Sequence, residues 1–232
     1  MLEELKKQVY EANMLLCEYG LAPFTWGNAS GIDRQSGLIV IKPSGVPYSE
    51  LSYEKMVTVN LNGEVIDSEL NPSSDTATHI ELYKAFSDIG GVVHTHSKYA
   101  VAFAQAGRDI PAYGTTHADF AYGDIPCADA LTDSEINGEY EKNTGLVIAR
   151  CFNERNLDPN SISAVTVRNH GPFTWGKDAK KAAENAAVLE IIAEMAINTE
   201  ILAGNNAEKV GNALLTKHYM RKHGKNAYYG QK

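Results

Sequence analysis

A chain of 232 residues fits one large domain with room for a buried core. Its formal net charge of −8, from 21 Lys and Arg against 29 Asp and Glu, lacks the basic footprint of a nucleic-acid or anionic-membrane binder, so an anionic ligand must be held by local donors. No stretch reaches membrane-span length, the acidic N-terminus lacks the apolar run of a secretion signal, and Cys17, Cys127 and Cys151 form no C-x-x-C, which together point to a cytoplasmic protein with reduced thiols.

In chain order the pattern is mixed α and β. Leu5, Val9, Ala12, Leu16 and Tyr19 make a helical stripe over residues 2–19 that Gly20 stops. "LIVIKPSG" (38–45) predicts a strand broken by Pro43. "MVTVNLNGEVIDS" (56–68) predicts two strands round a type I′ turn at Asn62-Gly63, so part of the sheet is antiparallel. In "NPSSDTATHIELYKAF" (71–86), serines suited to N-capping precede a helical pattern. Gly91-Val92-Val93 runs as a strand into His94-Thr95-His96, and an Ala-rich stretch follows to Ala106. Thr132 and Glu135 have capping-box spacing ahead of a helix placed at 137–154. "SAVTVRNHG" (163–171) is a strand that ends on a histidine. Asp178 caps a long helix to Ala203, Gly204 ends it, and residues 207–223 form a last helix before the 224–232 tail. "FTWGN" (24–28) and "FTWGK" (173–177) echo each other, but their surroundings share no period, which argues for local turn chemistry rather than a repeat. No linker divides the chain, so 1–232 reads as a single domain.

The histidines carry the chemistry. Residues two apart on a strand share a face, so the His94 and His96 imidazoles lie close enough to repel if both are protonated. A divalent cation removes that conflict. An H-x-H pair at one strand end with a third histidine, His170, at another is a common way to hold one, and Asp75 is the candidate fourth, carboxylate ligand. Metallohydrolases also use H-x-H. A metallo-β-lactamase-type site, however, wants Asp-His two residues on, where Ser97-Lys98-Tyr99 stand, and an amidohydrolase barrel wants repeated βα units that the chain lacks.

A second constellation points to an anion. "KPSG" (42–45), "PSSD" (72–75) and "WGN" (26–28) each put small residues and unencumbered N–H groups at a turn. The second does so at a helix N-terminus, where orphan N–H groups and the dipole favour phosphate. Metal site and anion turns together suggest a small phosphorylated substrate whose other end meets the metal.

These stretches, with "IKPSGVPYSE", "GGVVHTHS", "GTTHADFAYGDIPC", "INGEYEKNTG", "HGPFTWGK" and "KHYMRKHGKNAYYGQ" in order along nearly the whole chain, resemble the L-ribulose-5-phosphate 4-epimerase family. That family lies within the class II aldolase/epimerase superfamily, beside L-fuculose-1-phosphate aldolase. The resemblance implies an α/β fold, three-layer α/β/α with a mainly antiparallel central sheet, and a C4 homotetramer with active sites between subunits. It assigns Asp75, His94, His96 and His170 to a Zn²⁺ site, with Mn²⁺ or Co²⁺ as alternatives. It assigns Gly27, Asn28, Ser44, Gly45, Ser73 and Ser74 to a phosphorylated ketopentose. It adds Asp119 and Tyr229 as an acid/base pair, with Tyr229 reaching in from a neighbouring subunit. Spacing alone would leave Asp119 a loop cap and Tyr229 a packed C-terminal residue.

The implied reaction interconverts L-ribulose 5-phosphate and D-xylulose 5-phosphate. C4 of a ketopentulose carries no acidic C–H, so the family is understood to cleave C3–C4 in a retro-aldol step. Rotation of the glycolaldehyde phosphate and re-addition to its other face then invert C4. An aldolase of the same superfamily would release the fragments instead. Paralogues in L-arabinose and L-ascorbate breakdown share these motifs, which therefore leave the pathway open.

Overall fold

The computed structural model describes residues 2–229. α1 (Glu3–Glu18) forms where Val9, Ala12 and Leu16 recur on one buried face. After it come β1 (Asn28–Asp33), β2 (Leu38–Ile41), β3 (Val57–Asn60), α2 (Thr76–Ala85), β4 (Gly91–His94) and α3 (Lys98–Ala106). The second half runs α4 (Thr115–Ala118), β5 (Cys127–Ala128), α5 (Asp133–Asn137), α6 (Tyr140–Glu154), β6 (Ala164–Val167), β7 (Pro172–Gly176), α7 (Ala179–Ala203) and α8 (Asn212–His223). Among the described residues no helix is long and apolar enough to cross a membrane.

The strands form one seven-stranded sheet in the order β3-β2-β1-β4-β7-β6-β5. Every neighbouring pair is antiparallel except β5–β6. Side-chain alternation sends Ala29, Val40 and Val93 to the face covered by α1 and α7, where they cluster with Val9, Leu16 and Ala183. Val92, Phe173 and Trp175 go to the other face and cluster with Ile80 and Tyr83 of α2 and Phe152 of α6. This is the three-layer α/β/α arrangement with a mainly antiparallel sheet. The inner strand β4 is buried along its length, so His94 leaves the sheet at the end of a fully covered strand.

Several local expectations change. β1 reads "NASGID", small and polar, yet it is buried almost throughout. Helix α1 comes so close that a Cβ on Gly31 would meet Leu5 at 2.9 Å and Val9 at 3.0 Å. Small residues are what that approach requires, and they erase the apolar alternation that marks a strand. The 56–68 hairpin has one true strand: Val59 bridges Val65, and the Ile66 N–H donates to the Thr58 carbonyl at 2.9 Å. Gly63 has a positive φ (85°) but Asn62 does not, so the turn is not type I′. The Asn60 side chain sets it instead, Oδ1 accepting from the Asn62 and Glu64 N–H groups at 2.9 and 3.0 Å.

Capping follows the sequence in part. Thr132 and Glu135 form the capping box, and the Asp178 carboxylate accepts from the Lys181 N–H at 2.7 Å to cap α7. At α2 the serines do not cap; Asp75 takes the N-cap position, and its carboxylate makes no capping bond. The strand "SAVTVRNHG" stops at Val167, which leaves His170 in the turn before β7. Of the two "FTWG" copies, the first is a turn with Phe24 at φ 60° and the second is β7, so they are not a structural repeat.

Candidate metal and anion site

His94 is tied before it can ligate anything. It lies opposite Phe173 in β7 and stacks on that ring, with centroids 4.3 Å apart and planes 19° apart. A carbonyl can only accept, so the 3.0 Å contact from Nδ1 to the Pro172 oxygen is an N–H donation. In the neutral ring the Nε2 lone pair is then left free. His96 lies two residues on, past the strand end, with its Nε2 only 3.1 Å from the His94 Nε2. His170 follows Asn169, whose φ of 64° turns the chain back. Its ring centroid is 4.8 Å from that of His94 and 5.6 Å from that of His96.

The ligating atoms of His94, His96 and His170 all lie within 4.8 Å of one another, a group that can hold a metal ion. Burial, aided by the neighbouring imidazoles, pushes His96 down and His170 to about 4. The Asp75 carboxylate faces the same pocket, and its Oδ2 accepts from the Asn28 amide at 2.6 Å. Burial works to raise its pKa, but His94, His79 and the Asn28 amide outweigh burial and hold it below the ordinary carboxylate range. Neutral imidazoles beside an ionised carboxylate are the protonation states that a cation binds. Two ring nitrogens aimed at each other, one with its hydrogen committed to Pro172, are what a shared cation would separate and satisfy. The donor set fits a divalent metal of borderline softness.

A pocket of about 350 Å³ joins Asp75 and the three histidines to Gly27, Asn28, Ser44, Gly45, Ser73 and Ser74. The N–H groups of Gly27, Gly45 and Ser74 have no acceptor among the described residues. Gly27 is required where it stands: its φ is 74°, and a Cβ there would meet the His94 carbonyl at 3.0 Å. Thr25, Trp26, Lys42 and Pro43 also line the pocket; they sit in or beside the quoted WGN and KPSG turns, but the sequence alone assigns none of the four a role. Lys42 is buried, burial lowers its pKa, and its ammonium donates to the Val46 carbonyl at 3.1 Å. Its only sequence signal is a cation directly after a strand and before Pro-Ser-Gly.

Asp119 and Tyr229 are not brought to this pocket by the single chain. Asp119 lines a larger cavity of about 670 Å³ with Thr116, Lys177, Arg221 and Lys222, and the two cavities share no lining residue. Arg221 donates twice to the Asp119 carboxylate, from Nε at 2.9 Å and from Nη2, and His218 Nδ1 donates at 3.0 Å. Burial pushes the carboxyl up, but those donors prevail and lower its pKa. The Arg221 guanidinium and the Lys222 ammonium lie 4.9 and 4.6 Å from the centroid of the exposed Tyr229 ring. Asp119 and Tyr229 thus belong to one cluster of one chain. His218 and Arg221, one turn apart on α8, complete it; both sit in the quoted "KHYMRKHGKNAYYGQ", but only the fold shows them facing Asp119.

The fold and the match agree on a lineage. Residues 7–197 match the Class II Aldolase and Adducin N-terminal domain. Among solved structures the chain is similar to an L-fuculose 1-phosphate aldolase at 24% identity and TM-score 0.70, over 93% of this chain and 94% of that one. It is similar to YgbL from Klebsiella pneumoniae, a putative aldolase/epimerase/decarboxylase, at 22% identity and TM-score 0.72, over 94% and 99% of the two chains. L-fuculose 1-phosphate aldolase from Glaciozyma antarctica PI12 superposes at TM-score 0.74 with 18% identity, over 97% and 84%. These likenesses establish the fold, and the match over residues 7–197 establishes that the chain belongs to the class II aldolase and adducin N-terminal domain family.

Proposed function

We propose that the protein is a divalent-metal-dependent L-ribulose-5-phosphate 4-epimerase. The observation that carries this reading is the convergence, in one pocket, of three imidazoles and Asp75 with the Ser44-Gly45 and Ser73-Ser74 turns. One wall suits a cation, the other a phosphate, and the space between them suits a small sugar.

His94, His96, His170 and Asp75 would hold the cation, and zinc suits this nitrogen and oxygen donor set, with Mn²⁺ or Co²⁺ as substitutes. When bound, the cation supplies Lewis acidity beside the oxygens on C2 and C3. The free N–H groups of Gly27, Gly45 and Ser74, with the serine hydroxyls and the Lys42 charge, hold the phosphate. That anchor keeps the two-carbon fragment from leaving between cleavage and re-addition.

Proton transfer at the C4 oxygen needs a group on each face of the aldehyde. Asp119, held ionised by Arg221 and His218, suits proton acceptance, and the Tyr229 hydroxyl suits donation. Both stand away from the histidine pocket in their own chain, so both enter it from the same neighbouring subunit of a cyclic tetramer. This differs from an arrangement with Asp119 at home and Tyr229 alone reaching across. The test is to incubate metal-loaded protein with L-ribulose 5-phosphate and follow D-xylulose 5-phosphate and free glycolaldehyde phosphate. Epimer without free fragment is expected; accumulating glycolaldehyde phosphate would make the protein an aldolase.

A further inference from the structure

Beneath the 24–28 turn lies a tyrosine to which neither the metal nor the acid/base chemistry gives a role. Tyr48 is buried, 7% exposed, and its single hydroxyl hydrogen is shared between the carbonyls of Trp26 and Gly27, at 3.1 and 3.0 Å. Beside it, the Lys42 ammonium sits 4.8 Å from the Tyr48 ring centroid and reaches the Thr25 carbonyl at 3.5 Å. Three successive carbonyls of the turn are therefore held from one side.

The peptide plane converts that grip into a recognition feature. In a trans peptide the N–H points opposite to the C=O of the same unit. Holding the Trp26 carbonyl thus turns the Gly27 N–H away from Tyr48. That N–H has no acceptor among the described residues, and Gly27 lines the histidine pocket. The turn is closed by a Trp26 N–H donation to the Pro23 carbonyl at 3.2 Å, but Phe24 stands at φ 60° with its ring largely in solvent, a conformation that a bulky residue rarely adopts. The buried hydroxyl adds a constraint on the carbonyls that follow.

We propose that Tyr48 is a positioning residue for anion recognition, gripping the Trp26 and Gly27 carbonyls so that the Gly27 N–H is presented to the substrate's phosphate. The inference rests on the sugar-phosphate reading above. Tyr48 touches no substrate atom and acts through the turn. Burial raises its pKa, so the hydroxyl remains a donor at any working pH.

Tyr48→Phe removes the hydroxyl and little else. Zn²⁺-loaded wild-type and variant protein are titrated calorimetrically with inorganic phosphate, and KM and kcat are measured for L-ribulose 5-phosphate. Expected are about tenfold weaker phosphate binding and a comparable rise in KM, as a lost alignment of one hydrogen bond gives, with kcat and Zn²⁺ affinity within about twofold. Phosphate binding unchanged in the variant overturns the inference while leaving the epimerase reading standing. A parallel loss of Zn²⁺ affinity also overturns it, since the hydroxyl would then be holding the whole pocket together. Wild-type protein that binds phosphate but turns over no pentulose phosphate removes the epimerase and leaves the grip intact. The wild-type chain gives a check that needs no variant: phosphate must shift the Gly27 amide resonance and slow its exchange, and a Gly27 amide indifferent to phosphate overturns the inference.

Discussion

The Nε2 atoms of His94 and His96 stand 3.1 Å apart, while the other nitrogen of His94 donates to Pro172 at 3.0 Å. The pair is thus pre-set to converge on one point, and the sheet that presents it buries a core of its own. Chelation should abolish turnover and leave the far-UV circular dichroism unchanged, unlike a zinc finger, which unfolds without its metal. Zn²⁺, Mn²⁺ and Co²⁺ added back singly should each restore some activity. His94→Asn should lose bound metal by elemental analysis. Full turnover by rigorously metal-free protein would exclude the site.

Asn28 orients the fourth candidate ligand through its 2.6 Å bond to Asp75. Asn28→Ala should weaken Zn²⁺ binding by about 10–100-fold, the usual consequence of removing a group that orients a ligand. Competition against a chromogenic chelator measures this directly. Unchanged affinity would mean that Asp75 does not ligate.

The cluster of Asp119, Arg221 and Tyr229 within one chain makes subunit mixing decisive. Alone, Tyr229→Phe and Asp119→Asn should each cost about 10²–10⁴-fold in rate, as loss of a proton-transfer group does. Random hybrids of His94→Asn with Tyr229→Phe chains should regain about a quarter of wild-type activity, from sites that pair intact histidines with a neighbour's intact tyrosine. Hybrids of Asp119→Asn with Tyr229→Phe chains should regain none, because every chain then carries a damaged cluster. If the Asp119→Asn with Tyr229→Phe hybrids also regained about a quarter, Asp119 would act at its own chain's metal site.

Arg34 ties β1 to the end of α2. Its guanidinium donates to the carbonyls of Tyr83, Phe86 and Ile89, each at 2.8 Å. Arg34→Met leaves these acceptors unpaired and should cost about 2–4 kcal/mol in urea unfolding. Arg34→Lys should recover only part, since a point charge cannot replace the planar fork.

The Asp109–Arg155 pair should shape the acid limb of stability. Burial pushes the Asp109 carboxyl up, but Arg155 at 3.0 Å and the Cys127 N–H at 2.8 Å prevail and lower it. A lowered folded-state pKa stabilises above the unfolded value of about 3.9, and that stability is lost as pH falls through the folded value. Both side chains are about a third exposed, so the contribution is about 1 kcal/mol. Asp109→Asn should therefore lower the melting temperature at pH 6 and change it little at pH 3; an equal drop at both would assign the effect to packing.

Helices α1 and α7, the capping box at Thr132, and the strand entering His94 were legible because each rests on a local signal: a repeat of apolar residues, a side chain that caps, a covered strand. The candidate metal and anion residues were legible as types, since an H-x-H pair at a strand end suits a cation and small-residue turns suit an anion. β1 was not legible, because a strand squeezed between layers is selected for smallness and shows no period. Nor was the Asn60 turn, where a side chain competes with the backbone for the same N–H groups.

By itself the sequence determined which groups are present: imidazoles and a carboxylate suited to a cation, small turns suited to an anion, a C-terminal stretch rich in Lys, His and Tyr. Only the tertiary structure decided which groups meet. It set His94 and His96 nose to nose, put Tyr48 under the Gly27 turn, and gathered Asp119 with Arg221 and Tyr229 in a cavity apart from the histidines. The reason is physical: hydrogen bonds and ion pairs act over about 3–4 Å, whereas these partners are separated by up to a hundred or so residues of chain, so no local pattern can encode their distance.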